Sequence, residues 1–194
     1  WHYRNREWNT ERSLQRRRRL RLWLNEQKQE RGCRECGEDD PECLDFHHPV
    51  PAEKEMEVST MITWGYGKDR LEPEIEKCTV LCANCHRKKH HEKPDGIEWA
   101  NLSTCSFERI VSSKEATERP VDLRDRQQAW VYEYKRSHGC RDCVVENPAC
   151  LDLHHTGDVP KSRSVSQLIA DGCSWKELLR EVQKCIVLCA NCHR

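Results

Sequence analysis

The sequence predicts an α+β protein made of two small tandem units, each closed by a zinc knuckle and opened by a helix. Three observations carry this. The chain of 194 residues has 14 Cys and 10 His, and eight of those Cys form four C-x-x-C pairs. The same strings recur at a constant offset of 107 residues. Helix-spaced apolar residues alternate with short strand-like runs. Leu, Ile, Val and Phe together make up fewer than one residue in five. A chain so poor in core residues struggles to bury enough surface, and a metal clip is one remedy.

The repeat is read position by position. Cys33-Arg34-Glu35-Cys36 returns as Cys140-Arg141-Asp142-Cys143, and Cys43-Leu44-Asp45-Phe46-His47-His48 as Cys150-Leu151-Asp152-Leu153-His154-His155. Lys77 to Arg87 returns as Lys184 to Arg194, and Trp23, Lys54 and Gly65 pair with Trp130, Lys161 and Gly172. This is a tandem duplication. The expected boundaries are a tail at 1–11, a first unit at 12–92, a polar linker at 93–118 and a second unit at 119–194. The linker contains Pro94-Asp95-Gly96. A start without Met and a stop just after Cys-His predict a fragment cut at both ends.

Within each unit the elements follow in order. Leu20, Trp23 and Leu24, and then Trp130, Val131 and Tyr134, have the i, i+3, i+4 spacing of a helix with a buried stripe. Trp23 and Trp130 are expected as core anchors. Gly32 and Gly139 end these helices. Cys43 to His47 reads as a strand, Val58 to Ile62 as a short helix, Thr79 to Leu81 as a second strand, and Ala83 to His91 as a helix. Ser174-x-x-Glu177 reads as a capping box. The first copy has Pro73 in the matching stretch, so its helix is expected to begin later.

Composition bounds the function. Lys+Arg and Asp+Glu are both 33, so the net charge is zero and bulk charge does not mark a histone-like protein. Mean hydropathy is −0.96, and no apolar run reaches the roughly 20 residues of a membrane helix. The start at Trp1 has no apolar core and is not a signal peptide. Paired thiols then predict a reducing, cytoplasmic setting and metal-bound thiolates rather than disulfides. A thioredoxin-like redox pair is the rival for any single C-x-x-C. Cys33, Cys36, Cys82 and Cys85 supply one tetrahedral zinc site, and Cys140, Cys143, Cys189 and Cys192 the other. Cys43, Cys78, Cys105, Cys150, Cys173 and Cys185 fall outside the pairs and read as small buried residues.

The histidines suggest a second, open site. Neighbours on a strand point to opposite faces, so one of His47 and His48 can hold a metal while the other addresses water or substrate. His86 follows the last thiolate, and His90 lies one turn further on the same helix face. If the zinc clip forms, His47 and His86 nitrogens should converge on one point, with His48 nearby and open to solvent.

The string C-x-x-C, L-D-x-H-H, K-C-x-V-L-C-A-N-C-H-R resembles the HNH (ββα-metal) endonuclease family in its zinc-stapled branch. The likeness spans about residues 12–92 and 119–194. It implies that His48 and His155 are general bases, and that His47, His86, His90, His154 and His193 are ligands of a divalent ion such as Mg²⁺ or Mn²⁺. It implies DNA cleavage leaving 5′-phosphate and 3′-hydroxyl ends, with RNA not excluded. Two sites in one chain, an internal pseudo-dimer, would cut both strands. The family's middle asparagine falls at Lys77 and Lys184, where a lysine acts through its backbone or contacts a phosphate. Asn84 and Asn191 lie inside the knuckles and do not replace it.

Other cations have two readings each. Arg16, Arg17, Arg18 and Arg19, flanked by Arg12 and Arg21, form either a solvated face or a contact with DNA phosphates. The second helix, with Arg124, Asp125 and Arg126, is less basic. Lys54 and Lys161 lie just past the His pairs, within reach of phosphate. Asp45 and Asp152 accept from a ligand histidine or cap a turn. The rival functions are a non-catalytic zinc module that binds nucleic acid and a scaffold module without DNA affinity.

Overall fold

In a computed structural model, residues 6–91, 120–157 and 163–194 are described. The expected linker, Cys105 and Lys161 lie outside them. The chain divides into two units, Trp1–Lys89 joined by Arg194, and His90–His193. The first boundary falls at the last residue of a continuous helix, Ala83–His90, so His90 is described with that helix.

The first unit opens with α1, Arg6–Arg31. It starts inside the stretch expected to be a tail. Leu20 and Leu24 are buried, and Trp23 packs beside them. Gly32 closes the helix at φ 58, its N–H bonding the Lys28 carbonyl at 2.9 Å. A left-handed residue is needed there, and glycine takes that conformation without a Cβ clash. The chain then makes the first knuckle, in which Cys33 N–H donates to the Glu38 carbonyl at 2.7 Å.

Strand β1, Leu44–His47, pairs antiparallel with β2, Thr79–Cys82, in the register Leu44↔Cys82 to His47↔Thr79. Between them lie α2, Val58–Trp64, and α3, Lys68–Glu76. α4, Ala83–His90, follows β2 directly. Val58, Met61, Ile62, Leu71 and Ile75 pack with α1 into one core, and Leu44, Val80 and Leu81 pack with Cys33, Cys82 and Cys85 into another. Burying one such side chain stabilises by about 1.5–3 kcal/mol.

One expectation is corrected here. α3 begins at Lys68, before Pro73 and not after it, and carries the proline inside. Pro73 is exposed, so its ring displaces no core atom. The buried Leu71, Glu74 and Ile75 on the opposite face hold the helix through packing, which overrides local propensity.

The second unit repeats the plan as far as its last strand, after which residues 190–193 form turns and not a counterpart of α4. α5, Pro120–His138, ends at Gly139 with φ 62. β3, Leu151–His155, pairs antiparallel with β4, Cys185–Cys189. α6, Val165–Ala170, is capped by Ser164. α7, Trp175–Val182, opens on the full capping box of Ser174 and Glu177. Trp130, Val165, Ile169, Leu178, Leu179 and Val182 form its main core. Among the described residues, no helix is long and apolar enough to cross a membrane.

Candidate functional site

Each unit holds a metal-ready thiolate cluster, and the first also holds a metal-ready group of three imidazoles. Cys33 and Cys36 in the knuckle after α1 meet Cys82 at the end of β2 and Cys85 on α4, with all four sulfurs within 4.8 Å of one another. Cys140, Cys143, Cys189 and Cys192 form the same cluster. Cys36 and Cys82 sulfurs lie 3.6 Å apart, as do those of Cys143 and Cys189. Tetrahedral zinc with Zn–S bonds of about 2.3 Å separates sulfurs by about 3.8 Å, so the spacing fits that ion.

The knuckle backbone prepares the site. Arg34 N–H bonds the Val80 carbonyl at 3.0 Å, and Arg141 N–H bonds that of Val187 at 2.9 Å. Each bond fastens a hook to the partner strand. Burial opposes ionisation of Cys33, but the backbone N–H groups of Cys82, Glu35 and Cys36 outweigh it and bring its thiol down to about 7. Cys140 falls to about 7 by the same balance, against burial and through the Cys189, Asp142 and Cys143 amides. Burial and neighbouring sulfurs push Cys85 and Cys192 up. Four crowded sulfurs therefore ionise together only with a cation among them. These two groups can hold structural zinc.

The second cluster is imidazole. His47 on β1, with His86 and His90 one turn apart on α4, brings three ring nitrogens within 4.8 Å of one another. The His47 and His86 rings meet edge-on with centroids 4.9 Å apart, and His154 and His193 do the same at 4.8 Å. Asp152 Oδ2 accepts from His193 Nδ1 at 3.1 Å, while Asp45 Oδ2 stands 3.6 Å from His86 Nδ1. A carboxylate on Nδ1 turns Nε2 toward a metal. Three imidazoles suit Zn²⁺ or Ni²⁺ better than Mg²⁺, which prefers oxygen. Three protein ligands also leave a coordination position open.

His48 departs from expectation. Its side chain is 5% exposed, and Nε2 lies 2.8 Å from Glu74 Oε1. His155 repeats this with Glu181 at 2.7 Å and 13% exposure. The pleat explains the split: His47 faces α4, so its neighbour turns the other way, under α3 in the first unit and α7 in the second. Lys77 bonds Glu74 Oε2 at 2.7 Å, and Lys184 bonds Glu181 Oε2 at 2.8 Å. These two lysines face a carboxylate. Glu74 also accepts the Glu55 amide at 2.9 Å. Burial alone would raise the Glu74 carboxyl, but Lys77, the Glu55 amide, His48 and the Met56 amide hold it at about 2.

Glu74 and Glu181 were missed from sequence, although both stand at the 107 offset and three residues before the repeated lysine. So were Lys28 and Lys135. Each unit has a cleft beside its histidines, 520 Å³ in the first and 510 Å³ in the second. Lys28, Asp45, Phe46, Val58, Ser59 and His86 line the first, and the residues 107 positions on line the second.

The remaining candidates scatter. Arg17 donates to the Thr63 carbonyl at 2.8 Å, tying α1 to α2, while Arg16, Arg18 and Arg19 are exposed. Lys54 pairs with Glu57. Cys78, Cys150 and Cys173 are buried as expected, and Cys43 and Cys185 are partly exposed. Compared with protein-family models, curated proteins and solved structures, the chain finds no match.

Proposed function

We propose that this chain is a metal-dependent endonuclease that hydrolyses DNA phosphodiester bonds, with one HNH-type site in each unit. The observation that carries this is the meeting of His47 with His86 and His90 beside a four-cysteine cluster, repeated by His154 and His193. A purely structural zinc module needs the sulfurs but not the imidazoles.

In this reading His47, His86 and His90 hold a divalent ion in the first unit, and His154 and His193 contribute to its counterpart in the second. When bound, that ion stabilises negative charge on the scissile phosphate and the leaving oxygen. His48 and His155 take a proton from the attacking water, a task suited to imidazole near neutral pH. The cleft beside the histidines receives the nucleotide next to the scissile bond, with Lys28 or Lys135 near its phosphate. Exposed Arg16, Arg18 and Arg19 add a sequence-independent attraction to the backbone. Structural zinc holds the strands and α4 at the spacing that this needs.

Plasmid nicking in Mn²⁺, Mg²⁺, Ni²⁺ or Zn²⁺ tests the proposal. Supercoiled DNA should convert to nicked and linear forms carrying 5′-phosphate ends. The His48→Ala/His155→Ala chain should be slower by about 10²–10⁴-fold. Equal rates for the two chains, in every ion, would sink the enzyme reading.

The burial of His48 and His155 favours a second reading, a zinc-dependent module that binds nucleic acid without cutting it. That module would show salt-sensitive DNA binding, unchanged by the double substitution, and no cleavage.

A further inference from the structure

Buried carboxylates are rare because desolvation is costly unless each oxygen is matched. Glu74 is 1% exposed and Glu181 3%. In the first unit, Glu74 Oε1 receives His48 Nε2 at 2.8 Å and the Glu55 amide at 2.9 Å, and Oε2 receives Lys77 at 2.7 Å. In the second, Glu181 receives His155 at 2.7 Å and Lys184 at 2.8 Å. The same three residue types thus meet twice, from the same elements.

An ionised carboxylate only accepts hydrogen bonds. A ring nitrogen 2.8 Å from it must therefore carry the proton. A second contact agrees. Cys78 Sγ lies 3.3 Å from His48 Nε2 and also 3.3 Å from the Glu74 carbonyl. The thiol hydrogen has a carbonyl to point at, which leaves a sulfur lone pair facing Nε2–H. Cys185 likewise donates to the Glu181 carbonyl at 3.3 Å. The Lys77 and Lys184 ammoniums supply the charge that each carboxylate needs.

We propose that Glu74 and Glu181, each backed by its lysine, are the positioning residues for His48 and His155: the buried carboxylate accepts Nε2–H, fixes that tautomer and leaves Nδ1 as the basic nitrogen. This role rests on the endonuclease reading; the tautomer does not. It also accounts for a lysine where the resemblance leads one to expect asparagine. The lysine orients the histidine at one remove, through the glutamate.

The test uses the full zinc-loaded chain with ¹⁵N-labelled histidine. Long-range ¹H–¹⁵N spectra at neutral pH, assigned with His48→Gln and His155→Gln, should show both rings protonated at Nε2. Glu74→Gln/Glu181→Gln keeps the shape but offers an amide that can donate or accept. In it the tautomers should mix, and kcat for nicking should fall about 10- to 100-fold, with KM within about twofold. An Nδ1–H tautomer in the wild-type chain overturns the proposal, and needs no variant that folds. Unchanged kcat in the double glutamine chain overturns it as well. Wild-type chain that shows the Nε2–H tautomer but never cuts DNA overturns the endonuclease reading and leaves the positioning of the ring standing. Cutting together with an Nδ1–H ring overturns the positioning alone.

Discussion

Removing one zinc clip should unfold one unit and spare the other. Cys36 and Cys82 are 46 residues apart, and so are Cys143 and Cys189. Cross-linking a loop of that length removes roughly 4 kcal/mol of chain entropy from the unfolded state. A unit on the order of 85 residues is stable by about 4–13 kcal/mol in total. Here the lower end applies, because apolar residues are scarce and the strands are only four or five residues long. The clip therefore contributes about as much as the whole margin, and zinc–thiolate bonding adds more. The perturbation is Cys82→Ser in one chain and Cys189→Ser in another. Metal analysis should give one tightly held zinc ion fewer in each variant than in the wild type. Circular dichroism should show loss of about half the helical signal at 25 °C, and a strong chelator should take the wild type to the same endpoint in both halves. If either variant keeps as much zinc as the wild type, or if metal-free chain melts within a few degrees of the zinc form, the clip is not what holds these units.

Three further outcomes follow from side-chain placement. Arg16→Ala/Arg18→Ala/Arg19→Ala should flatten the dependence of log K for DNA on log salt by up to about 2.7, near 0.9 per lost phosphate contact. Arg17→Ala should hardly change that slope, but should lower the denaturant midpoint through the lost bond to Thr63, a loss of at most about 1 kcal/mol. Leu81 is fully buried beside Cys33, Cys82 and Cys85, so Leu81→Ala should cost about 2–5 kcal/mol; a cost under 1 kcal/mol in a urea titration of the zinc-loaded chain would show that this cluster is not packed.

What was legible in the sequence divides along a physical line. The duplication, the thiolate groups, both strands and the opening helices depend on local spacing and repeated strings, and these are visible in one dimension. The convergence of His47 with His86 also followed, because gathering Cys82 and Cys85 with Cys33 and Cys36 places the next residue beside β1. The partner of His48 did not follow. Glu74 lies 26 residues away on a helix that Pro73 disguises, and a lone glutamate on a charged chain carries no local mark. The exposure of His48 was misjudged for the same reason: strand alternation says that adjacent rings diverge, but not what covers the second one. Arg17 was read with its neighbours as one charged face, yet a helix separates successive residues by about 100°, and Arg17 turns to the Thr63 carbonyl of α2.

Pro73 offers a clean test of why the two copies differ. Its counterpart at the 107 offset is Arg180, inside α7, and the N-cap counterpart of Gly67 is Ser174, which makes a capping box. α3 has neither advantage: Gly67 gives no side-chain cap, and Pro73 cannot donate to the Asp69 carbonyl. Nevertheless α3 must hold Glu74 under His48 as firmly as α7 holds Glu181 under His155. Its stability therefore comes from Leu71 and Ile75, both almost fully buried, and not from its backbone. Since Pro73 is exposed, Pro73→Arg changes the backbone of α3 without moving Leu71 or Ile75. It should stabilise the first unit by about 1–3 kcal/mol, seen as a higher urea midpoint for that unit, with the second unit unmoved. A fall in stability would mean that the proline ring, by limiting the unfolded chain, contributes more than the missing hydrogen bond costs. The account of α3 as a helix held by tertiary packing against its own sequence would then be wrong.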